Sequence, residues 1–398
     1  MLIPLNYTLR SLFVRKAATL LSVFGIGVTV AIFAGVLALQ QGFTTMFTAH
    51  GREDVIVFLR PGATGETDSQ FARERGMKLM KSLPEIEQTP DGPLASMESY
   101  SGILRRRLDG GEVNVAFRGV QQATFKIRGD ELRIVAGRNF APGADEIIVG
   151  RKLVERVQDC QIGDVMVINT TPFRVVGVFD HDGPFVSEIW CDLERALAVL
   201  DSYGPNRIIA KVVPGTFVGD VTREQGAQPG SLAARLADDK EAPAKVLTER
   251  NFLESQTKML GGILLGLGLA LAVIMGVGAA FTAINTMLSA IASRTNEIGI
   301  LLATGFRPLP IFLAFMLETL LLCAMGGVAG CILVLPINGI ETGTMNGATF
   351  TEVAFAFRVT PLVVAAAIFF SVVLGMLGGL WPALRACRMT PTEALRRT

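Results

Sequence analysis

The sequence predicts a multi-pass α-helical membrane protein with four transmembrane helices and an α+β extracytoplasmic domain between helices 1 and 2. Three observations carry this. Half of the 398 residues are hydrophobic and only 18% are charged, against roughly 25% in an ordinary soluble domain. The charge is unevenly spread: residues 51–258 hold 31 of the 36 acids and 27 of the 37 bases, and no Asp or Lys occurs from Met259 onward. Outside that charged middle lie four apolar stretches of more than 20 residues each, long enough for a helix to cross the hydrocarbon core. The net charge of +1 therefore averages an acidic middle and basic flanks. It leaves no basic surplus for nucleic acid. Five cysteines without a close CxxC pair and two histidines supply neither a disulfide framework nor a zinc site.

Taken in order, residues 1–16 place Leu5, Leu9, Leu12 and Phe13 at helical spacing, with Asn6, Arg10 and Lys16 between them. That pattern suits an interfacial amphipathic helix, or equally an inward extension of the first span. Helix 1 is predicted over 17–43. Its apolar heart, 17–39, exceeds the 7–15 residues of a signal-peptide core and no clear A-x-A site follows, which favours an uncleaved anchor. Helix 2 is expected over 259–290, helix 3 over 310–335 and helix 4 over 361–384, the last with Pro361 suited to a first helical position. Between them fall a cytoplasmic segment at 291–309, a short extracytoplasmic loop at 336–360 and a tail at 385–398. With both termini inside, nine Lys and Arg residues lie on the cytoplasmic side, from Arg10 to Arg397, while the outer loop 336–360 holds only Arg358. The positive-inside rule thus predicts N-in, C-in topology with 44–258 exported.

The exported domain alternates strand-like and helical runs. Strands are expected at 54–59, 113–120, 146–149, 165–168, 173–179, 207–213 and 244–247, and helices at 69–83 and 231–238. Its two ends resemble each other as strand–helix–strand units around a β-rich insert. His181, flanked by Asp180 and Asp182, has no second His or Cys near it in sequence, and a polar turn at Gly183 explains it better than a metal ligand does. Cys160 and Cys191 would face an oxidising side, yet nothing in the sequence brings them together. No Ser-His-Asp or Cys-His arrangement presents itself, so the domain reads as a binding or transmitting module.

Between spans two and three, SRTNEIGILLATGF (293–306) is too apolar for a plain reversal. Ile298, Ile300, Leu301 and Leu302 give a short helix an apolar face, suited to a cytoplasmic partner or to its own bundle. Glu318 stands alone among the apolar residues of the third span. Such an acid usually faces the bundle or a partner. No other span offers the second ionisable group that a proton relay would need, so a structural or coupling contact is expected. Glycines such as Gly326, Gly330, Gly375 and Gly379 offer small faces for close packing, within one subunit or between two.

SRTNEIGILLATGFRPLPIFLAFMLETLLLCAMGGVAG resembles the core signature of MacB/FtsX-type ABC transporter permeases. GLWPALRACRMTPTEALR at 379–396 is similar to that family's closing motif, and LRSLFVRKAATLLSVFGIGVTVA to its start. ADEIIVGRKLVERVQDCQIGDVMVI and FRVVGVF resemble its periplasmic core domain. The resemblance implies a permease in the bacterial inner membrane, with an outer domain on a stalk that continues the first two spans. It implies mechanotransmission on an amphiphilic or lipid-linked substrate outside the membrane or, as the alternative, a regulatory scaffold that activates an extracytoplasmic enzyme by the same motion. A second permease, identical or a sister subunit, and two copies of an ABC ATPase subunit are the implied partners, and a periplasmic adaptor is left open. Arg294, Thr295, Asn296, Glu297, Ile298 and Gly299 would carry the ATPase contact, with Pro391, Glu393, Ala394 and Leu395 as second candidates. Some members fuse the ATPase into one chain, but G-x-x-x-x-G-K-[ST] occurs nowhere here. ATP and magnesium are then expected to act through a separate subunit, with no catalytic residue, cofactor or metal held by this chain.

Overall fold

The computed structural model describes residues 16–219, 228–304, 307–345 and 351–389. Residues 1–15 of the expected interfacial helix lie outside them, as do Pro391, Glu393, Ala394 and Leu395. The chain runs through α1 (Lys16–Thr48), β1 (Val55–Leu59), α2 (Arg73–Ser82), the short pair β2 (Gln88–Thr89) and β3 (Gly92–Pro93), β4 (Ala95–Arg106) and β5 (Glu112–Val120). There follow α3 (Gln122–Arg128), β6 (Leu132–Gly137), β7 (Glu146–Gly150), α4 (Arg151–Val154), β8 (Val165–Ile168), β9 (Thr171–His181), β10 (Glu188–Asp192) and α5 (Leu193–Val199). The remainder is β11 (Arg207–Lys211), α6 (Leu232–Ala237), β12 (Lys245–Thr248), α7 (Glu249–Ser293), α8 (Thr295–Ala303), α9 (Pro308–Val334), β13 (Glu341–Met345), β14 (Glu352–Ala356) and α10 (Pro361–Cys387). Two compact units result, an outer one made of Phe43–Gly261 with Glu341–Phe355, and a membrane one made of the rest.

In the outer unit one ten-stranded sheet runs β12-β1-β11-β4-β5-β10-β7-β9-β6, with β8 added on β9. The two chain ends predicted as similar units share one half of it. β1 lies between β11 and β12, antiparallel to both, with Ile56 opposite Thr248 and Leu59 opposite Lys245. Ile56, Phe58, Ile208, Ala210 and Val246 form a core there with Leu79 of α2 and Leu232 and Leu236 of α6. The β-rich insert closes a second core around Phe117, Ile147, Val149, Phe173 and Ile189. Cys160 and Cys191 are both buried there as free thiols, and burial pushes the Cys160 thiol up to about 12.

Among the described residues four helices are long and apolar enough to cross a membrane. α7 starts at Glu249, ten residues ahead of the predicted span, and its first acid is buried against Arg128. α1 continues to Thr48. Ile26, Val30, Ala34, Leu322, Val334, Ala367 and Leu374 make the shared core of the membrane unit. Some of the predicted glycines serve this packing inside one chain: a Cβ on Gly330 would stand 2.6 Å from the Gly27 carbonyl oxygen, and one on Gly379 would stand 2.9 Å from Thr319. The predicted outer loop at 336–360 contains a two-stranded sheet of β13 and β14, a structure its sequence does not announce.

Candidate functional site

Arg294 breaks the helix between α7 and α8, with φ −118° and ψ 15°. The Thr295 hydroxyl donates to the carbonyls of Ile291 (3.1 Å) and Ala292 (3.0 Å), tying the new helix to the old one. α8 then runs nine residues to Ala303. Ile298 is buried with Met287 and Ile291 of α7, Ile311 and Phe315 of α9 and Ala383 and Ala386 of α10, while Leu302, one turn on, packs against the same cluster. This anchoring decides which way the short helix faces. Thr295, Ile298 and Gly299 turn inward, and Asn296, Glu297 and Ile300 are exposed. Of the six residues named from the sequence, two therefore offer side chains outward, and Ile300, 52% exposed, joins them.

Arg294 turns the other way. Its Nη1 lies 3.5 Å from Oε2 of Glu318, which is buried in α9. The intramembrane acid thus has a basic partner, supplied by the junction of α7 and α8 and not by another span. That removes the main cost of an acid in apolar surroundings. It also fixes the root of α8 to α9. In the sequence, 24 residues separate the pair and no periodicity links them.

The outer unit buries a larger set of charges. Arg118 on β5 donates through Nε to Glu188 (2.7 Å) and through Nη1 to Glu66 (2.7 Å), and Arg207 on β11 donates to Glu98 on β4 (2.6 and 2.8 Å) and to Glu66. Trp190 Nε1 and Thr124 Oγ1 complete the carboxylates of Glu188 and Glu98. Burial alone would raise the Glu98 carboxyl, but the nearby Arg207 and Arg118 outweigh it and hold it below the usual range. A second pair, Arg128 with Glu249, is also buried, and the Phe185 ring faces the guanidinium groups of Arg118, Arg128 and Arg207. His181 ends β9 buried, with Nδ1 accepting the Gly183 N–H at 2.7 Å. Burial first, then the charges of Arg128 and His50, lower it to about 3, so it stays neutral. Every carboxylate in the network already serves an arginine, and among the described residues no three His, Cys, Asp or Glu side chains could hold a metal. The arrangement ties β4, β5, β10 and β11 to one another through their side chains.

These two units define a four-helix permease with a large extracytoplasmic domain. The profile of the MacB-like periplasmic core domain matches residues 19–227, more than half of the chain, and that of the FtsX-like permease C-terminal region matches 262–391. The chain belongs to the MacB/FtsX-like ABC transporter permease family. Among curated relatives it is 25% identical over 97% of its length to the pyoverdine export ATP-binding/permease protein PvdT of Pseudomonas syringae pv. tomato. It is 26% identical over 99% of its length to the macrolide export ATP-binding/permease protein MacB of Bordetella avium. The chain spans 58% and 60% of those relatives' own lengths. A crystal structure of the periplasmic region of MacB from Actinobacillus actinomycetemcomitans matches half of the chain at 13% identity and a TM-score of 0.35, with 90% of that region covered.

Proposed function

We propose that this chain is the membrane subunit of an ATP-driven transporter that works by mechanotransmission, extracting or moving an amphiphilic or lipid-linked substrate on the extracytoplasmic side of the inner membrane. The observation that carries it is α8, a nine-residue helix rooted through Ile298, Leu302 and Arg294 on three membrane helices, with Asn296, Glu297 and Ile300 turned outward. A lever needs a rigid root and an exposed face, and α8 has both. In this reading ATP and magnesium act through two copies of an ABC ATPase beneath two permeases, and these 398 residues hold no P-loop motif themselves. The termini lie in the cytoplasm, consistent with the placement of Lys and Arg. The relatives named for macrolide and pyoverdine export support transport over the alternative of a scaffold that only activates an outer enzyme.

The test is a mild-detergent pull-down of the full chain from its native membrane, followed by an ATPase assay. A stoichiometric P-loop subunit whose hydrolysis depends on this chain is expected. Glu297→Lys should lower that dependence at least about tenfold, a loss of roughly 1.4 kcal/mol of coupling, without affecting insertion. Full stimulation by Glu297→Lys would remove α8 from the contact, and absence of any ATPase, even after crosslinking, would end the permease proposal.

A further inference from the structure

The connection between α9 and α10 belongs, from Glu341 to Phe355, to the outer unit, and its described residues are held there by ion pairs as well as by buried apolar side chains. The carboxylate of Glu352 on β14 is shared by Arg107, just past β4, and Arg156, just past α4. Gly343 on the facing strand makes room for this meeting: a Cβ there would stand 2.6 Å from Arg156 Nη2 and closer still to the Glu352 carboxylate. Around it, Lys152 reaches Glu341 at 3.2 Å and the Ala354 carbonyl at 3.3 Å, Tyr100 Oη meets Thr351 Oγ1 at 2.8 Å, and the Ala354 N–H points to Ser187 Oγ at 3.4 Å. Val353, Ala354 and Phe355 are buried as well, Phe355 edge-on to Phe43 near the end of α1.

The seat beneath is incompletely filled. A cavity of about 40 Å³ lies between Tyr100, Phe185, Gln256, Thr351 and Val353, large enough for one water molecule. The buried Gln256 amide lines it with neither its oxygen nor its nitrogen hydrogen-bonded within the protein. Glu352 is 13% exposed and its two arginines 32% and 30%, so solvent reaches the ion pairs. Partly exposed ion pairs over a loosely filled seat part at lower cost than fully buried ones.

We propose that Glu352 closes a releasable ionic clasp by which the connection between spans three and four grips the β-rich half of the outer domain. Glu352 is then a positioning residue for transmission, giving the domain a second hold besides α1 and α7. The purpose of the clasp rests on the permease reading above, whereas its existence does not.

The experiment has two arms. In the detergent-solubilised full chain without nucleotide, hydrogen exchange of the β14 amides should rise about tenfold in Glu352→Arg, and return to the wild-type rate when Arg107→Glu and Arg156→Glu are added. Unchanged exchange in Glu352→Arg, or no rescue by the reversed arginines, overturns the clasp. In the second arm the chain is isolated with its ATPase. Glu352→Arg and the milder Glu352→Gln should keep the ATPase bound but lose most of the hydrolysis that depends on this chain, and the triple reversal should regain it. Normal turnover in both variants overturns the positioning role. If the wild-type chain brings down no ATPase, the permease reading fails alone and the first arm still decides the clasp.

Discussion

In the membrane unit the side chains most deeply buried are Ile26, Val30, Ala34 and Ala367, and the only charged residue buried among its described residues is Glu318. In the outer unit the largest fully buried side chains, after Trp190, are Arg118, Arg128 and Arg207. The unit that faces lipid keeps charge out of its interior, and the unit that faces water builds its sheet around it. The difference teaches where geometry is specified. Lipid offers unpaired charge no refuge, so membrane helices fix their arrangement by shape, as with Gly330 against Gly27. In the outer sheet β4, β5, β10 and β11 each bring one charged partner to a common point, and a slipped register would leave a carboxylate unpaired. Such networks add little net stability but penalise wrong pairings heavily.

The contrast can be broken most violently at Arg207. Arg207→Met leaves Glu66 and Glu98 short of a partner and should cost about 3–5 kcal/mol, read as a lowered urea midpoint in the fluorescence of buried Trp190. His181 comes next. Its folded pKa is depressed to about 3 from the ordinary 6.5, so its contribution is fully present above pH 6.5 and is lost as pH falls towards 3. Between pH 7.5 and 5 the wild-type chain should lose about 2 kcal/mol that a His181→Phe chain does not. Glu131, which burial pushes up from 4.5, acts in the opposite sense, and comparing the two chains cancels it. In the membrane unit Arg294→Ala breaks one longer contact, 3.5 Å to Glu318, where Arg207→Met breaks contacts to two carboxylates, and should cost about 1.5 kcal/mol. A loss as large as that at Arg207 would show that both units rely on buried charge alike. Smallest of all, Arg73→Ala removes an exposed ion pair with Glu194 and should shift the midpoint by less than about 0.5 kcal/mol.

The same contrast explains what is legible in the sequence. The four long helices, and strands such as VIVFL at β1, follow from apolar pattern because apolar burial made them. The twelve residues of β4 escaped, since Ser96, Glu98 and Ser99 are polar yet buried, and their partners arrive from 20 to 109 residues away. β10 is a five-residue strand that becomes a strand through β5 and β7, both distant in sequence. At the segment between α7 and α9 the motif is plain, but four apolar residues among five positions (298 and 300–302) select no face. Only the cluster of Met287, Phe315 and Ala383 turns Ile298 inward and Ile300 outward.

The pairing of β1 with β12 has a mechanical side. The chain reaches β1 from α1 and leaves β12 directly into α7, and the rung nearest both helices is Ile56 with Thr248. Beside it the Arg250 N–H bonds the Arg52 carbonyl at 3.2 Å, and Gly51 lets the two strands of chain come so near that a Cβ would sit 2.6 Å from the Arg250 Cα. Drawing Thr48 and Glu249 apart would therefore load this seam one rung at a time, the way a zipper opens, with each rung resisting by only about 1 kcal/mol. Moving both together loads no rung at all. The outer domain is thus compliant to a splaying of its two feet and stiff to a shared push, a filter on which helix motions reach the sheet.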